Sequence, residues 1–482
     1  MTESQYSKVL SGVQGFLGWG TLLAVLGSSI ILGANRPVLW TFLALAVLVL
    51  FTAQGLLTLL QPPAPALSRA LPYIMAYGAV LLWAVLQAIL PVSGMWAHPA
   101  WSEVTEIVGP EGTAPRISAD PGRGVHFVLR LACYGAVAWL LAASALRTKR
   151  AWAYLRAIAG FSALLAAYGI AMVTLGMEAA IGVDRPVPAY VTATFVNRNS
   201  YAFYGAMGLI VNLALLVNFF ARHTSADSER DVARTLIEAF FSGAWVYSVG
   251  VILCGVAVAM TESRAGAGAA AAGVLVFLLA RGWRRRQTIV PLLTVPLPLL
   301  AYVALSFGSG TLERFADADI SGRIAVYSAI VENLGERLWL GHGLGAFHDT
   351  FRPFLPIEVA AVEWDVAHNS YLENIWELGL VAALVFYGLL LAVVWRLARG
   401  TVVRRQNASI PAIALGVVAA GAVHSTVEFP LQIPACAALF AALLGIGWAQ
   451  SFRQADRLNP TRLQAKRAAQ TARPSRKTPS EL

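Results

Sequence analysis

Ala367-His368-Asn369-Ser370-Tyr371-Leu372-Glu373-Asn374-Ile375-Trp376-Glu377 joins a polar stretch that begins near residue 308 to an apolar run. If a helix starts near His368, then Asn369, Glu373 and Glu377 recur at i, i+4 and i+8 and form one polar stripe. His368 stands at its mouth. At 1.5 Å of rise per residue the stripe carries its carboxylates about 12 Å below that mouth. Acids at such depth in a membrane helix are expensive, and they face a bundle interior or a wet cavity. The alternative is a helix whose first turns stay above the hydrocarbon, with its acids solvated. Both readings place a membrane span at 370–395, with its polar mouth at His368.

Working outward, composition sets the class. Of 482 residues 57% are hydrophobic and 13% are charged, whereas soluble chains carry about 25% charge. Runs of helical length without ten-residue alternation exclude a β-barrel and predict an all-α integral membrane protein. The expected architecture is a polytopic bundle of about 12 transmembrane helices. They fall near 13–33, 38–60, 73–91, 127–146, 157–177, 200–220, 239–260, 265–281, 288–307, 370–395, 410–427 and 431–449. This transmembrane domain, 1–450, includes the polar segments 92–126, 178–199 and 308–369, the last carrying short helices. The basic tail 451–482 has the Pro, Ser, Lys and Arg content of a disordered end. Cys133, Cys254 and Cys436 lie within apolar spans and form no CxxC motif, so no disulfide framework is expected. The MTESQYSK start runs into a full-length span without a small-residue cleavage site, which argues against a cleavable leader.

Charge gives orientation. With the N-terminus, the even-numbered connections and the tail on one side, that side holds 25 of the 36 Lys and Arg and 7 of the 26 Asp and Glu. The positive-inside rule makes it cytoplasmic. Both termini are then inside, and the polar segments with unusual residues face out. The net charge of +10 therefore reports topology and contact with anionic lipid, with no nucleic acid as partner.

Several outward residues point to anion chemistry. Arg264 follows Thr261-Glu262-Ser263, either of whose hydroxyl residues can cap a helix, and precedes a run of Gly and Ala. A cation in a first helical turn opposes the helix dipole, so local stability does not explain it. Together with free backbone N–H groups it makes an anion site, and the small residues after it let neighbouring helices approach closely. Ser321-Gly322-Arg323 repeats the arrangement before Ile324, Tyr327, Val331 and Leu334, which read as the apolar stripe of a short surface helix. Gly341-His342-Gly343-Leu344-Gly345 follows no strand, so it reads as a tight turn rather than a nucleotide loop. His342, His348, His368 and Asp349 fit no common zinc spacing, and neither a metal nor a cofactor is expected.

The motifs TFVNRNSYA, TESRAG, SGRIAVYSAIVENLGERLWLGHGLGAF, AHNSYLENIWELG and HSTVEFPLQIPA, in this order between Val191 and Trp448, resemble the O-antigen ligase and polymerase superfamily of bacterial membrane glycosyltransferases. The resemblance implies transfer of a glycan from a polyprenyl-diphosphate carrier to an acceptor hydroxyl on the periplasmic face of the inner membrane, without a metal. It implies that Arg264 and Arg323 hold the lipid diphosphate and that His368 is the catalytic base. Arg198, Asn199, Asn369, Glu373 and His424 stand in the same motifs and are expected to bind substrate. The acceptor is lipid A-core, another glycan or a protein. A ligase is the first reading; a polymerase acting on lipid-linked repeats and a protein O-oligosaccharyltransferase are alternatives.

Physical chemistry is compatible with that assignment. Two arginines and two helix N-termini can stabilise a departing diphosphate, and a histidine oriented by Glu373 or Asp365 can take the acceptor proton. Direct attack inverts the anomeric centre. Outside enzymes, a lipid-linked glycan transporter is the competing class, but the chain has neither matched inverted repeats nor paired Gly/Pro-broken spans. A dual reporter fused after Leu482 tests the topology. Its cytoplasmic signal is expected to be on and its periplasmic signal off, and the opposite pattern refutes the assigned sidedness.

Overall fold

The computed structural model describes residues 3–60, 64–177, 189–223, 238, 240–282, 318–360, 363–404 and 406–453. Among them there is no strand beyond a single bridge between Pro91 and Arg116. The helices are α1 Glu3–Gly27, α2 Pro37–Leu60, α3 Pro65–Ser68, α4 Leu71–Ile89, α5 Ala100–Val108, α6 Pro121–Ala145, α7 Thr148–Thr174 and α8 Arg198–His223. They continue with α9 Trp245–Met260, α10 Arg264–Gly282, α11 Ala318–Asn333, α12 Phe347–Phe351, α13 Ser370–Leu378, α14 Leu380–Val403, α15 Ser409–His424 and α16 Pro434–Ala449. Nine described helices are long and apolar enough to cross a membrane, and α15 and α16 are shorter apolar helices at the last two expected spans. The protein is an all-α, multi-pass membrane protein. The span expected at 288–307 and most of the tail lie outside the described residues.

Helix starts follow local capping. Asp120 accepts a hydrogen bond from the Arg123 amide at the head of α6, where Pro121 supplies the pre-set φ. α6 therefore begins ahead of the expected 127. Ser263 Oγ accepts from the Gly266 amide at 3.0 Å, so it caps α10 as its sequence predicts.

α8 is the hub of the bundle: 78% of its apolar window is buried, against 11% for α14. Lipid is as apolar as leucine, so packing contact rather than apolar burial holds such helices together. Small residues supply that contact. A Cβ added to Gly273 of α10 would lie 2.7 Å from the Gly416 carbonyl of α15, and one on Gly416 would lie 2.6 Å from the Gly273 carbonyl. The two backbones touch. One turn into α10, a Cβ on Gly266 would meet the Ala202 methyl of α8 at 2.3 Å.

A second layer sits on one end of the bundle. Its own small core holds Val326, Ala329 and Ile330 of α11, Phe347, Phe351, Val359, Ala367 and Trp376. This corrects the stripe expected for α11. Tyr327 and Leu334 do pack against that core, but Ile324 and Val331 are 58% and 57% exposed.

The span expected at 370–395 is also corrected. It divides into α13 and α14 at Gly379, whose φ is +79°. The break is imposed by a close crossing of backbones. A Cβ on Gly379 would lie 2.4 Å from the Trp339 carbonyl, and one on Gly341 (φ +70°) would lie 2.2 Å from the Glu377 carbonyl. Two amides of the glycine-rich turn seal the crossing, His342 to the Trp376 carbonyl and Gly343 to the Glu377 carbonyl, each at 2.9 Å. The turn thus does what its sequence predicts, and it ends a helix in doing so. Gly379→Ala is expected to destabilise the folded protein by more than about 1 kcal/mol, since alanine resists positive φ and its methyl has no room. Gly388→Ala, in α14 where a Cβ meets nothing, is the control. Thermal melting of both variants in detergent is the measurement.

Candidate active site

The site is built around Glu428, in the loop between α15 and α16. Its side chain is 4% exposed. Oε1 accepts from Asn199 Nδ2 at 2.6 Å and from Arg323 Nη2 at 3.1 Å. Oε2 lies 3.4 Å from His368 Nδ1, an ion-pair distance rather than a short hydrogen bond. Arg323 also donates from Nη1 to the Val427 carbonyl at 2.6 Å. Burial opposes ionisation of Glu428, and His368 and Arg323 together overcome it, holding the carboxyl below its ordinary range. Four segments distant in sequence thus meet at one carboxylate.

His368 is fixed from every side. Its own φ is +50°, a conformation that a non-glycine residue keeps only when its surroundings impose it. Glu373 Oε2 accepts from the Ala367 amide before it at 3.0 Å, and Tyr327 OH donates to its carbonyl at 2.7 Å. After it, Asn369 caps α13 by accepting from the Tyr371 and Leu372 amides. The Ser370 amide then donates to the Ser425 carbonyl at 3.0 Å. Trp364 and Phe429 meet the imidazole edge to face at 5.7 and 5.0 Å. The side chain stays 25% exposed, and its Nε2 has no hydrogen-bond partner among the described residues.

The other sequence candidates gather at the same end. Arg198 heads α8, with Nη1 3.7 Å from Glu262 Oε2 and its guanidinium 4.7 Å over the Tyr190 ring. Arg264 heads α10, whose first turn is in contact with α8 through Gly266 and Ala202. His424 ends α15 with its ring 5.7 Å from that of Phe203. It is fully buried, and neither ring nitrogen has a hydrogen-bond partner among the described residues.

Three expectations change here. Arg323 is the sixth residue of α11, not in its first turn, and its guanidinium is already committed to the 427–428 loop. Glu373 and Glu377 do not line a wet stripe and are not solvated. Both are buried, and they accept backbone amides of the surrounding loops. The carboxylate that meets His368 is neither Glu373 nor Asp365 but Glu428. Its position four residues after His424 in HSTVEFPLQIPA was the available signal.

Residues 249–387 match the family model described as O-antigen ligase. Over these residues the chain is similar to the O-antigen ligase family. That match runs from α9 into α14 and takes in Arg264, Arg323, His368, Asn369 and Glu373. Asn199, His424 and Glu428 lie outside the matched residues, so the cluster extends into the flanking chain. No curated protein matches the chain.

Two groups lie apart from the cluster. His98 Nε2 and His342 Nδ1 meet at 2.9 Å, and His342 stacks on Trp376 at 4.2 Å. Burial, with Arg337 nearby, lowers their pKa values to about 4 and about 3, so both rings are neutral. His348, Glu363 and Asp365 bring one potential ligand atom each within 4.8 Å of one another, a donor set that could hold a cation. Asp349 hydrogen-bonds His348 and raises its pKa, so this exposed group also neutralises itself.

Glu373 supplies a pH test. Burial raises its pKa above the ordinary carboxylate value. The native state therefore holds a proton that the unfolded state gives up, and stability falls as pH rises from about 4.3 through the raised value. Glu373→Gln keeps an acceptor for Ala367 and can bond Gln432 after that amide flips. The variant is expected to melt higher than wild type above neutrality and to lose this advantage in acid. Melting curves across pH decide it.

Proposed function

We propose that the protein is an inverting glycosyltransferase of the O-antigen ligase type. It moves a glycan from a polyprenyl-diphosphate carrier to an acceptor hydroxyl on the periplasmic face of the inner membrane, with both of its termini cytoplasmic. The observation that carries this reading is the convergence of Asn199, Arg323 and His368 on Glu428, at the bundle end where α8 and α10 begin with Arg198 and Arg264. The family match over 249–387 supports it.

In this mechanism the acceptor oxygen attacks the anomeric carbon while His368 Nε2 takes its proton. The bond from the anomeric carbon to the diphosphate breaks, and its electron pair leaves with the diphosphate. Glu428, beside Nδ1, stabilises the imidazolium as it forms. Arg264, at the start of α10, meets the charge of the leaving group, with Arg198 contributing from the head of α8. Arg323 contributes positive charge while its two Nη donors keep Glu428 ionised and in place. No step requires a metal, since arginines supply the electrostatic stabilisation.

The variants separate these roles. His368→Ala is expected to leave binding of the lipid-linked donor nearly intact and to lower turnover by about 10²–10⁴-fold. Arg264→Ala is expected to weaken donor binding as well as turnover, by about 3 kcal/mol at the transition state. Arg264→Lys restores only part, because lysine lacks the bidentate fork. Arg323→Ala leaves Glu428 buried without its nearest cation and is expected to lower stability too, so Arg264 is the cleaner probe. Donor binding and turnover are measured on the same purified, folded variants. Wild-type turnover in His368→Ala refutes the assignment of the base. Equal loss of binding in both alanine variants turns the site into a receptor for lipid head groups.

A further inference from the structure

The segment between α4 and α6 carries an apolar face that the bundle does not use. Met95 and Trp96 are 85% and 51% exposed; on α5, Ile107 and Val108 are 84% and 62% exposed, with Val104 at 38%. At 100° per residue Val104, Ile107 and Val108 fall on one side of α5, and Ser102 and Glu106 on the other, with Glu103 at the boundary next to Ile107. Exposed Ser102 and Glu106 form the polar half of an amphipathic helix.

Its place in the fold says what covers that face. α4 is a membrane span whose lipid-side residues include Leu82 and Ile89, 58% and 54% exposed, and the apolar surface continues through Leu90 at 44%. Met95 and Trp96 follow within a few residues, before α5. The continuation is also rigidly held. The amides of Val92 and His98 donate to the Pro115 and Arg116 carbonyls at 2.9 and 2.8 Å. Trp101 Nε1 donates to the Ser118 carbonyl at 3.0 Å, and Arg337 donates to the carbonyls of Ala97 and Trp96 at 3.0 and 3.2 Å. A flexible loop could fold its apolar residues away from water; this one is fixed with them outward.

We propose that α5 and the preceding Met95–Trp96 turn lie in the lipid head-group region of the leaflet on the side of the site, as an interfacial anchor continuous with the lipid-facing side of α4. An exposed tryptophan at the end of a span and a short amphipathic helix are the elements that bind at such an interface. The anchor is tied to the site-bearing layer through His98, His342 and the Trp376 stack on α13. This inference does not depend on the proposed reaction.

The test uses the full chain in lipid bilayers. All three native cysteines are buried, so Ile107→Cys introduces a selectively reactive thiol, and Glu106→Cys provides one on the polar side. Each is labelled with a small environment-sensitive fluorophore. The label at 107 is expected to be quenched by lipids brominated near the head of the acyl chain and to lose quenching by aqueous iodide. The label at 106 is expected to show the reverse. Val108→Cys repeats the measurement if labelling at 107 disturbs folding. Equal iodide quenching at 107 and 106 overturns the proposal, because the face is then in water. Protection from both quenchers at 107 also overturns it, because the face is then covered by protein.

Discussion

An ionised carboxylate does not survive burial alone, and Glu428 is the clearest case in this protein. Removed from water, it is held by an amide from the head of α8, a guanidinium from α11 and an imidazole just before α13. Each of those groups is oriented in turn by its bond to the carboxylate or to the loop that carries it. The geometry of the candidate site is therefore one electrostatic unit rather than a set of independent residues. Breaking any spoke leaves a buried charge or a buried acceptor unpaired, and that penalty is larger than the net worth of a single contact.

The layer above the bundle serves this unit. Gly341 and Gly379 let two backbones cross closely enough to end α13 where they do, and Asn369 starts it. A nine-residue helix is thereby fixed at both ends. Its two buried acids then hold neighbouring backbone, and the chain just before it is pinned with His368 in left-handed conformation. The strain at that residue is sustained by its neighbours' hydrogen bonds.

Much of this was legible in the chain. Apolar runs located the described spans, Ser263 announced its cap, and the glycine-rich turn declared a close backbone approach. The order of motifs pointed to the family. What stayed hidden was non-local. No local signal marks Gly379 as a break within the stretch 370–395, so the division of α13 from α14 depends on Trp339, forty residues earlier in the chain. Arg323 looked like a first-turn anion ligand because Ser321-Gly322 resembles a helix start, whereas the helix begins at Ala318. Glu373 and Glu377 fell on a helical stripe, and nothing local showed that backbone amides would enclose them. Glu428 partners residues from 60 to more than 200 positions away, and spacing carries no signal at that range.

The dispersal of the Glu428 spokes has a consequence for biogenesis. A membrane protein inserts from its N-terminus, helix by helix, yet the carboxylate that joins Asn199, Arg323 and His368 arrives only with the final helical hairpin, α15 and α16. A nascent or truncated chain ending at α14 has its arginines and histidine but lacks the carboxylate that joins them. Assembly of the charge network is thus deferred until α15 and α16 are in place. An incomplete chain cannot assemble this charge network, and proofreading of the C-terminal hairpin becomes proofreading of the site itself.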